Sequence, residues 1–465
     1  SGNALTTGSD GSIYIAGNTK GNLDGQTNSG EYDAFISKFN SDGIKEWTRL
    51  LGTSSVDYGK ALTTGSDGSI YIAGATQDEL YGQTFNGAYI DVFISKYNPD
   101  GTKDWTKVFG SDYYDSATAL TAGSDGSIYI AGFAQGDLDG QTYSGFTDAF
   151  ITKYNPDGTK DWTKLLGHNN YASATALTAG SDGSIYIAGS TQGNLDGQTN
   201  SGKYDAFISK FNSDGTKEWT RLLGTPSFVK FDGARALTTG SDGSIYIAGV
   251  TRGDLNGQTN SGDSDAFISK INPDGTKDWT KLLGISNDDY GNALTIGSDG
   301  SIYIAGYTNG EIDDQTNSGE YDAFISKFNP DGNKEWTRLL GTSSLESGNA
   351  LTTGSDGSIY IAGYTNGEID DQTNSGSSDA FISKITNLFD PIDISLSASS
   401  FNENINAASI VASLSTKDED PTDSHTYSFV SGEGATDNDS FTFDGNDLKI
   451  SASIDYETQS AYNIR

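Results

Sequence analysis

The chain has 465 residues, of which 63 are acidic and 28 are Lys or Arg, giving a formal net charge of −35. Such a surface repels polyanions, so nucleic acid and anionic membrane surfaces are poor partners. The lack of any Cys rules out disulfides, thiol nucleophiles and Cys-ligated metal centres, and no apolar run is long enough for a membrane-spanning helix.

The chain opens Ser-Gly-Asn, without Met and without a signal segment, and is expected to be a processed piece of something longer. At Gly8 begins the decapeptide GSDGSIYIAG, which recurs letter for letter at Gly65, Gly123, Gly180, Gly240, Gly297 and Gly354. The spacings are 57, 58, 57, 60, 57 and 57 residues. A period that long and regular marks a repeat architecture. Within one repeat come ALTT, then SIYIAG, a long loop, a segment such as DVFISKYN, a PDG or SDG turn and a segment such as KDWTKVFG. Each segment is short, β-branched and aromatic, and bounded by Gly, Asp and Asn, which is strand chemistry. Four antiparallel strands repeated seven times describe a seven-bladed β-propeller. In SIYIAG both faces are apolar (Ile13 and Ile15 against Tyr14 and Ala16), as a sheet sandwiched between neighbours requires. The turn between first and second strands is GSDG, where Gly can take a positive φ.

The fourth strand carries one Trp, at 47, 105, 162, 219, 279 and 336. Six equivalent indoles predict a packing role, filling the wedge that widens between blades toward the rim. The first three strand types occur seven times but the Trp strand only six, so the last blade lacks its outer strand in this chain. An upstream segment, the stretch Asn387–Ser397 or another copy of the protein is expected to complete that open edge.

These DG hairpins, DAFISK strands and KEW strands resemble the propeller repeats of bacterial extracellular proteins, the SBBP type, over residues 1–386. The resemblance implies a secreted, cell-surface β-propeller and supplies no catalytic residues. After a linker at 387–396 the period is lost. From 397 to 465, the ENxxxxxxI opening, the DED triplet, the F-x-F-D-G-x-x-L hairpin and the DYET close resemble a bacterial cadherin-like domain, here an incomplete β-sandwich. That resemblance implies calcium held by Glu403, Asp418, Asp420, Asp455 and Glu457.

Catalytic motifs are missing. The two His, His168 and His425, fall in different domains, and no phosphate loop, HExxH or GxSxG occurs. An Asp stands before the third strand in all seven repeats (Asp33, Asp91, Asp148, Asp205, Asp265, Asp322, Asp379), and a Gln stands in the preceding loop. Positions filled seven times hold loops in place rather than perform chemistry. Variation concentrates in the loops after the Trp strands, which share one face with the other long loops. Tyr58, Tyr113, Tyr114, Tyr171, Phe228, Phe231 and Tyr290 lie there among Asn and Asp, a composition suited to sugars or protein partners. The first reading is therefore a non-enzymatic extracellular structural or adhesion protein, a rigid propeller on cadherin-like spacers. A glycan-binding module using the long-loop face ranks second, and a carboxylate-pair glycoside-active enzyme third. Expected partners are surface glycans, other proteins or further copies of the chain through the open edge.

Overall fold

The computed structural model describes residues 1–465 except 86–88, 227–229, 286, 314, 355–356, 370–371, 375–376, 386–392, 403, 418–425, 431–435, 454, 456 and 465. The chain divides into two units, Ser1–Ile385 and Thr386–Arg465.

The first unit is a series of antiparallel sheets. The first sheet runs Gly2–Thr7, Ile13–Thr19, Asp33–Phe39 and Lys45–Leu51, with strands neighbouring in chain order. Five more four-stranded sheets follow, and the seventh has three strands among the described residues, ending with Asp379–Ile385. The repeated four-stranded antiparallel sheet is the unit of a β-propeller. The first strand of each sheet packs against that of the next, and Glu346–Thr353 in the seventh packs against Gly2–Thr7 in the first.

The doubly apolar strands explain this stacking. In the first sheet the face bearing Tyr14, Ala16, Ala34 and Ile36 packs on Leu62, Ile70, Ile72 and Phe93 of the second. The same arrangement recurs at every seam, and Tyr360 and Ala362 of the seventh sheet meet Leu5, Ile13, Ile15 and Phe35 of the first. Buried side chains on both faces leave no solvent-facing side to the central strands. At roughly 25 cal/mol per Å² of apolar area, this burial is the main term stabilising the unit.

The GSDG turn forms as its residues dictate. Gly11 takes φ 78°, Gly8 N–H donates to the Ser12 carbonyl at 2.8 Å, and Ser12 N–H donates to Asp10 Oδ1 at 3.0 Å. In the long loop, Gln26 donates through Nε2 to the Thr48 carbonyl and accepts from Leu50 N–H at 3.0 Å. Asp33 accepts from both the N–H and the hydroxyl of Ser29, at 2.9 and 2.8 Å. The repeated Gln and Asp thus hold this loop to its own sheet. The Trp side chains span the seams near the outer strands: a Cβ placed on Gly215 would stand 2.9 Å from the Trp162 ring, and Trp162 Nε1 donates to the Ser213 carbonyl at 3.2 Å.

In the second unit, strands Asp393–Leu396, Ile410–Lys417, Phe441–Asp444 and Asp447–Ile450 form one sheet, in the order first, second, fourth, third. Its core joins Val411, Ala412, Phe441, Leu448 and Ile450. The stretch 387–396, read from sequence as a linker, supplies the first of these strands. Asp393–Leu396 pairs with Ile410–Lys417 in register, and residues 387–392, the rest of the stretch expected at the open edge, lie outside the described residues. Ile394 and Leu396 alternate with Asp393, Ser395 and Ser397, a pattern too short to separate strand from linker by sequence. Among the described residues, no helix is long and apolar enough to cross a membrane.

Candidate functional site

Both long loops of each sheet end at the same seam. The residue closing the second-strand loop bridges the residue that follows the fourth strand, as in Tyr32 with Val56, Ile90 with Tyr114, Thr147 with Tyr171 and Tyr204 with Phe231. Aromatic residues from the two loops therefore meet. Tyr32 and Tyr58 lie 5.5 Å apart, Tyr89 stacks on Tyr114 at 5.7 Å, and Tyr204 contacts both Tyr171 (5.7 Å) and Phe231 (5.0 Å). This pairing separates the predicted ligand residues into two groups. Tyr113 and Tyr114 are exposed, at 56% and 41% of their surface, as is Tyr89. Tyr58, Tyr171, Phe231 and Tyr290 are half-buried against their partners, and Phe228 lies outside the described residues. Tyr113 also borders a groove of about 600 Å³ shared with Ser111, Asp112, Gln135, Asp137 and Tyr143.

Tyr290 is the equivalent of Tyr58, the second residue of its first strand, but has different neighbours. Its ring stacks on Tyr307 at 4.8 Å and 17°, and the Arg235 guanidinium sits 4.9 Å from its centroid. Burial pushes the Tyr307 phenol up to about 12, so it remains a neutral donor at physiological pH. Thr175, Arg235, Asn292, Tyr307, Ser347, Asn349 and Tyr364 line a cavity of about 400 Å³.

Four of these residues belong to a ring that sequence reasoning missed. In every first strand the ladder register slips by one residue just before the ALT or AL segment, a β-bulge. The bulged residues are Asn3, Lys60, Thr118, Thr175, Arg235, Asn292 and Asn349. Each donates a hydrogen bond to the next sheet: Asn3 to the Gly59 carbonyl (2.9 Å), Lys60 to Ser116 Oγ (2.9 Å), Thr118 to the Ala174 carbonyl (2.8 Å) and Thr175 to the Ala234 carbonyl (2.7 Å). Arg235 donates to Asn292 Oδ1 (3.1 Å), Asn292 to the Gly348 carbonyl (3.1 Å) and Asn349 to the Gly2 carbonyl (3.4 Å). The relay passes from sheet to sheet and returns from the seventh to the first. The available signal was positional: five of the seven equivalent residues are Asn or Thr, and two are cations.

Carboxylates collect deeper in the seams. At five seams the next first strand opens with an acid, and these residues, Asp57, Asp115, Asp232, Asp289 and Glu346, are fully buried. Thr53 donates to Asp57 through its N–H (2.6 Å) and hydroxyl (2.8 Å). Ser111, Thr225 and Thr342 treat Asp115, Asp232 and Glu346 alike. Desolvation nevertheless raises Asp57, Asp115 and Asp232 above the usual carboxylate range, the Asp33 and Asp205 charges adding to the effect at Asp57 and Asp232. These residues are loop anchors with no open face toward a substrate.

Of the predicted calcium ligands, Glu403, Asp418 and Asp420 lie outside the described residues. Asp455 accepts from Glu457 N–H at 3.2 Å and from Thr458 Oγ1 at 3.0 Å, within its own turn. No cluster of three or more metal-ligating side chains forms among the described residues.

The chain carries β-propeller repeats by comparison as well as by geometry. Residues 46–82, 278–313 and 335–370 match the SBBP β-propeller repeat, and residues 123–163 and 297–335 match a β-propeller domain of unknown function, DUF5122. Among full-length proteins, it is 25% identical over 406 residues to the regulatory protein FlaEY of Caulobacter vibrioides, covering 77% of this chain and 42% of that one. An uncharacterized WD repeat-containing protein of Acanthamoeba polyphaga mimivirus is 23% identical over 390 residues, covering 73% of this chain and 27% of its own. The chain thus spans less than half the length of either relative. Among solved structures, it aligns with the WD40 domain of Neurospora crassa Pan2 (TM-score 0.47, 9% identity, 82% of this chain and 88% of that one). It also aligns with a polysaccharide lyase, an ulvan lyase (TM-score 0.47, 11% identity, 81% and 90%).

Proposed function

We propose that the chain is a non-catalytic extracellular adhesion or scaffold protein. Its first unit is a seven-bladed propeller whose long-loop face binds a partner, and its second unit is a cadherin-like spacer. The single observation that supports binding is the exposed aromatic cluster at one seam. Tyr89, Tyr113 and Tyr114 stay open to solvent, Tyr113 lining a polar groove, whereas Tyr58, Tyr171, Tyr204, Phe231 and Tyr290 are half-buried and Phe146 at the next seam is a single exposed ring. Exposed aromatics beside carboxylates and amides present an apolar platform with polar edges. Closure into seven blades is supported by the packing of the seventh sheet on the first and by the returning hydrogen-bond relay. The test is binding of the first unit to arrayed glycans and to surface-protein extracts, with Tyr113→Ala and Tyr114→Ala as controls. Retention of all binding in the double variant would overturn the assignment of this face.

The glycan-binding reading is favoured by the groove itself. Tyr113 and Tyr143 flank Asp112, Asp137 and Gln135, so ring faces and hydroxyl-binding groups converge on one space. Calcium in the cadherin-like unit remains part of the proposal, with Asp455 and Glu457 as its described ligands.

A further inference from the structure

Lys60 and Arg235 stand where five equivalent residues are Asn or Thr, and each does something its equivalents do not. Asn3, Thr118, Thr175, Asn292 and Asn349 discharge their donors on main-chain carbonyls of the next sheet. Lys60 meets only the Ser116 hydroxyl, a neutral partner, at 2.9 Å. Arg235 makes one bond to Asn292 and rests on Tyr290. The lysine that recurs in the third strand is matched differently: Lys38, Lys96, Lys153, Lys210, Lys270 and Lys327 each reach two carboxylates. Neither Lys60 nor Arg235 reaches one among the described residues.

Burial adds to the mismatch. Desolvation pulls the Lys60 ammonium below the ordinary lysine range, with no carboxylate to restore it. An ionised group taken out of water without a counter-charge is costly, and a bound anion removes that cost. In a chain of net charge −35, two cations without a carboxylate partner among the described residues share one ring of polar side chains, Lys60 half-buried and Arg235 exposed. The bulge lies near the start of each first strand, on the side where the long loops emerge, so the ring opens on that face. The cavity beside Arg235 adds the Tyr307 and Tyr364 side chains and the Asn292 and Asn349 amides.

We infer that the inner mouth of the first unit is a binding site for an oxyanion, a carboxylate or sulfate group, held by Lys60 and Arg235. Arg235 supplies a planar fork that matches either group bidentately, and Lys60 supplies a point charge. This inference rests on the long-loop face being the binding face, but it uses none of the exposed tyrosines.

The test is titration calorimetry of the full chain with sodium sulfate, sodium glucuronate and glucose. Sulfate and glucuronate should bind saturably and glucose should not; the tighter of the two anions identifies a free ion or a sugar acid as the source. Lys60→Thr and Arg235→Thr copy the residues at positions 118 and 175, so both variants should keep the inter-sheet hydrogen bond and the fold. Each should weaken anion binding at least tenfold while leaving the melting temperature and any binding at Tyr113 and Tyr114 unchanged. Absence of anion binding to the wild type, or equal binding in both Thr variants, would overturn the inference. Loss of partner binding in the Tyr113 and Tyr114 variants with anion binding intact would confirm that the two sites are separate.

Discussion

The seam between the fifth and sixth sheets should make the protein lose stability as pH rises from about 4 to about 7. At three other seams a Thr or Ser follows the glycine and caps the acid four residues on, as Thr53 caps Asp57, and at a fourth Thr225 caps Asp232. Here that position is Ile285. Both carboxylate oxygens of Asp289 are buried without a hydrogen-bond partner among the described residues, and so is Asp265 Oδ1. The two acids face one space: a Cβ placed on Gly284 would stand 2.5 Å from Asp289 Oδ2 and 2.8 Å from Asp265 Oδ1. The Thr308 hydroxyl beside Asp289 directs its proton to the Gly310 carbonyl at 3.2 Å. Desolvation first, then the Asp265 and Asp288 charges, push Asp289 from 3.8 up to about 7.

An acid whose folded pKa is raised holds its proton in the folded state after the unfolded chain has released it. Stability is therefore fully present below pH 3.8 and declines as pH rises toward 7. A shift of about three units at 1.36 kcal/mol each sets a ceiling of about 4 kcal/mol for the loss. Asp289→Asn keeps the shape, removes the titration and offers an N–H to Asp265. At pH 8 it should be more stable than the wild type by up to about 4 kcal/mol. For a unit of this size, with an unfolding entropy near 2.1 cal/mol/K per residue, that corresponds to about 5 °C in melting temperature. At pH 4 the two proteins should differ by less than about 1 kcal/mol. Ile285→Thr should recover part of the same gain by restoring a donor. Melting curves between pH 4 and 8 provide the assay, and parallel curves for wild type and Asp289→Asn would refute the reasoning.

Further outcomes follow from the same geometry. Trp162→Ala should cost about 3 kcal/mol, the low end of the range for large aromatic truncation because the ring is only half-buried; denaturant titration measures it, and a loss below half a kcal/mol would remove the wedge role. Gly11→Ala forces a residue with a Cβ to φ 78° and should destabilise by about 1 kcal/mol, whereas Gly25→Ala, also at positive φ but with open space around it, tests the backbone term alone in the same melting assay. Calcium should raise the melting temperature of the second unit, and Glu457→Gln should reduce that rise; identical responses would discard Glu457 as a ligand.

Much of the fold was legible because the repeat writes it seven times. Strand identity, the GSDG turn, the Gln and Asp loop anchors and the Trp packing all followed from local chemistry at recurring positions. The site was less legible because its geometry is set between sheets. Asp265 and Asp289 are 24 residues apart and meet only across a seam. Tyr58, Tyr171 and Phe231 read as exposed loop aromatics, yet the bridging of two loops gives each a partner that covers it. Lys60 and Arg235 were hidden by the bulge. Strict alternation assigns each first-strand residue to one face, and a one-residue slip redirects the side chain out of that count.

The division between constant and variable positions has a physical basis that locates function more sharply than composition does. A residue identical in seven sheets is answering a demand made seven times: Ile and Tyr fill a seam, Gly turns a hairpin, Gln pins a loop. A ligand makes its demand once. The departures with no packing rationale are thus the informative ones, and they fall on one side of the first unit. Tyr113 and Tyr114 leave two rings in solvent where Tyr58, Tyr171, Phe231 and Tyr290 are half-buried, and Lys60 and Arg235 put charge where a hydroxyl or amide already satisfies the ring. Ile285 departs too, but it weakens a seam by stranding Asp289 and offers nothing to a ligand. That loss of stability gives a ligand nothing to hold, whereas the proposed sites at the inner mouth and the Tyr113 groove turn polar and aromatic side chains toward open space.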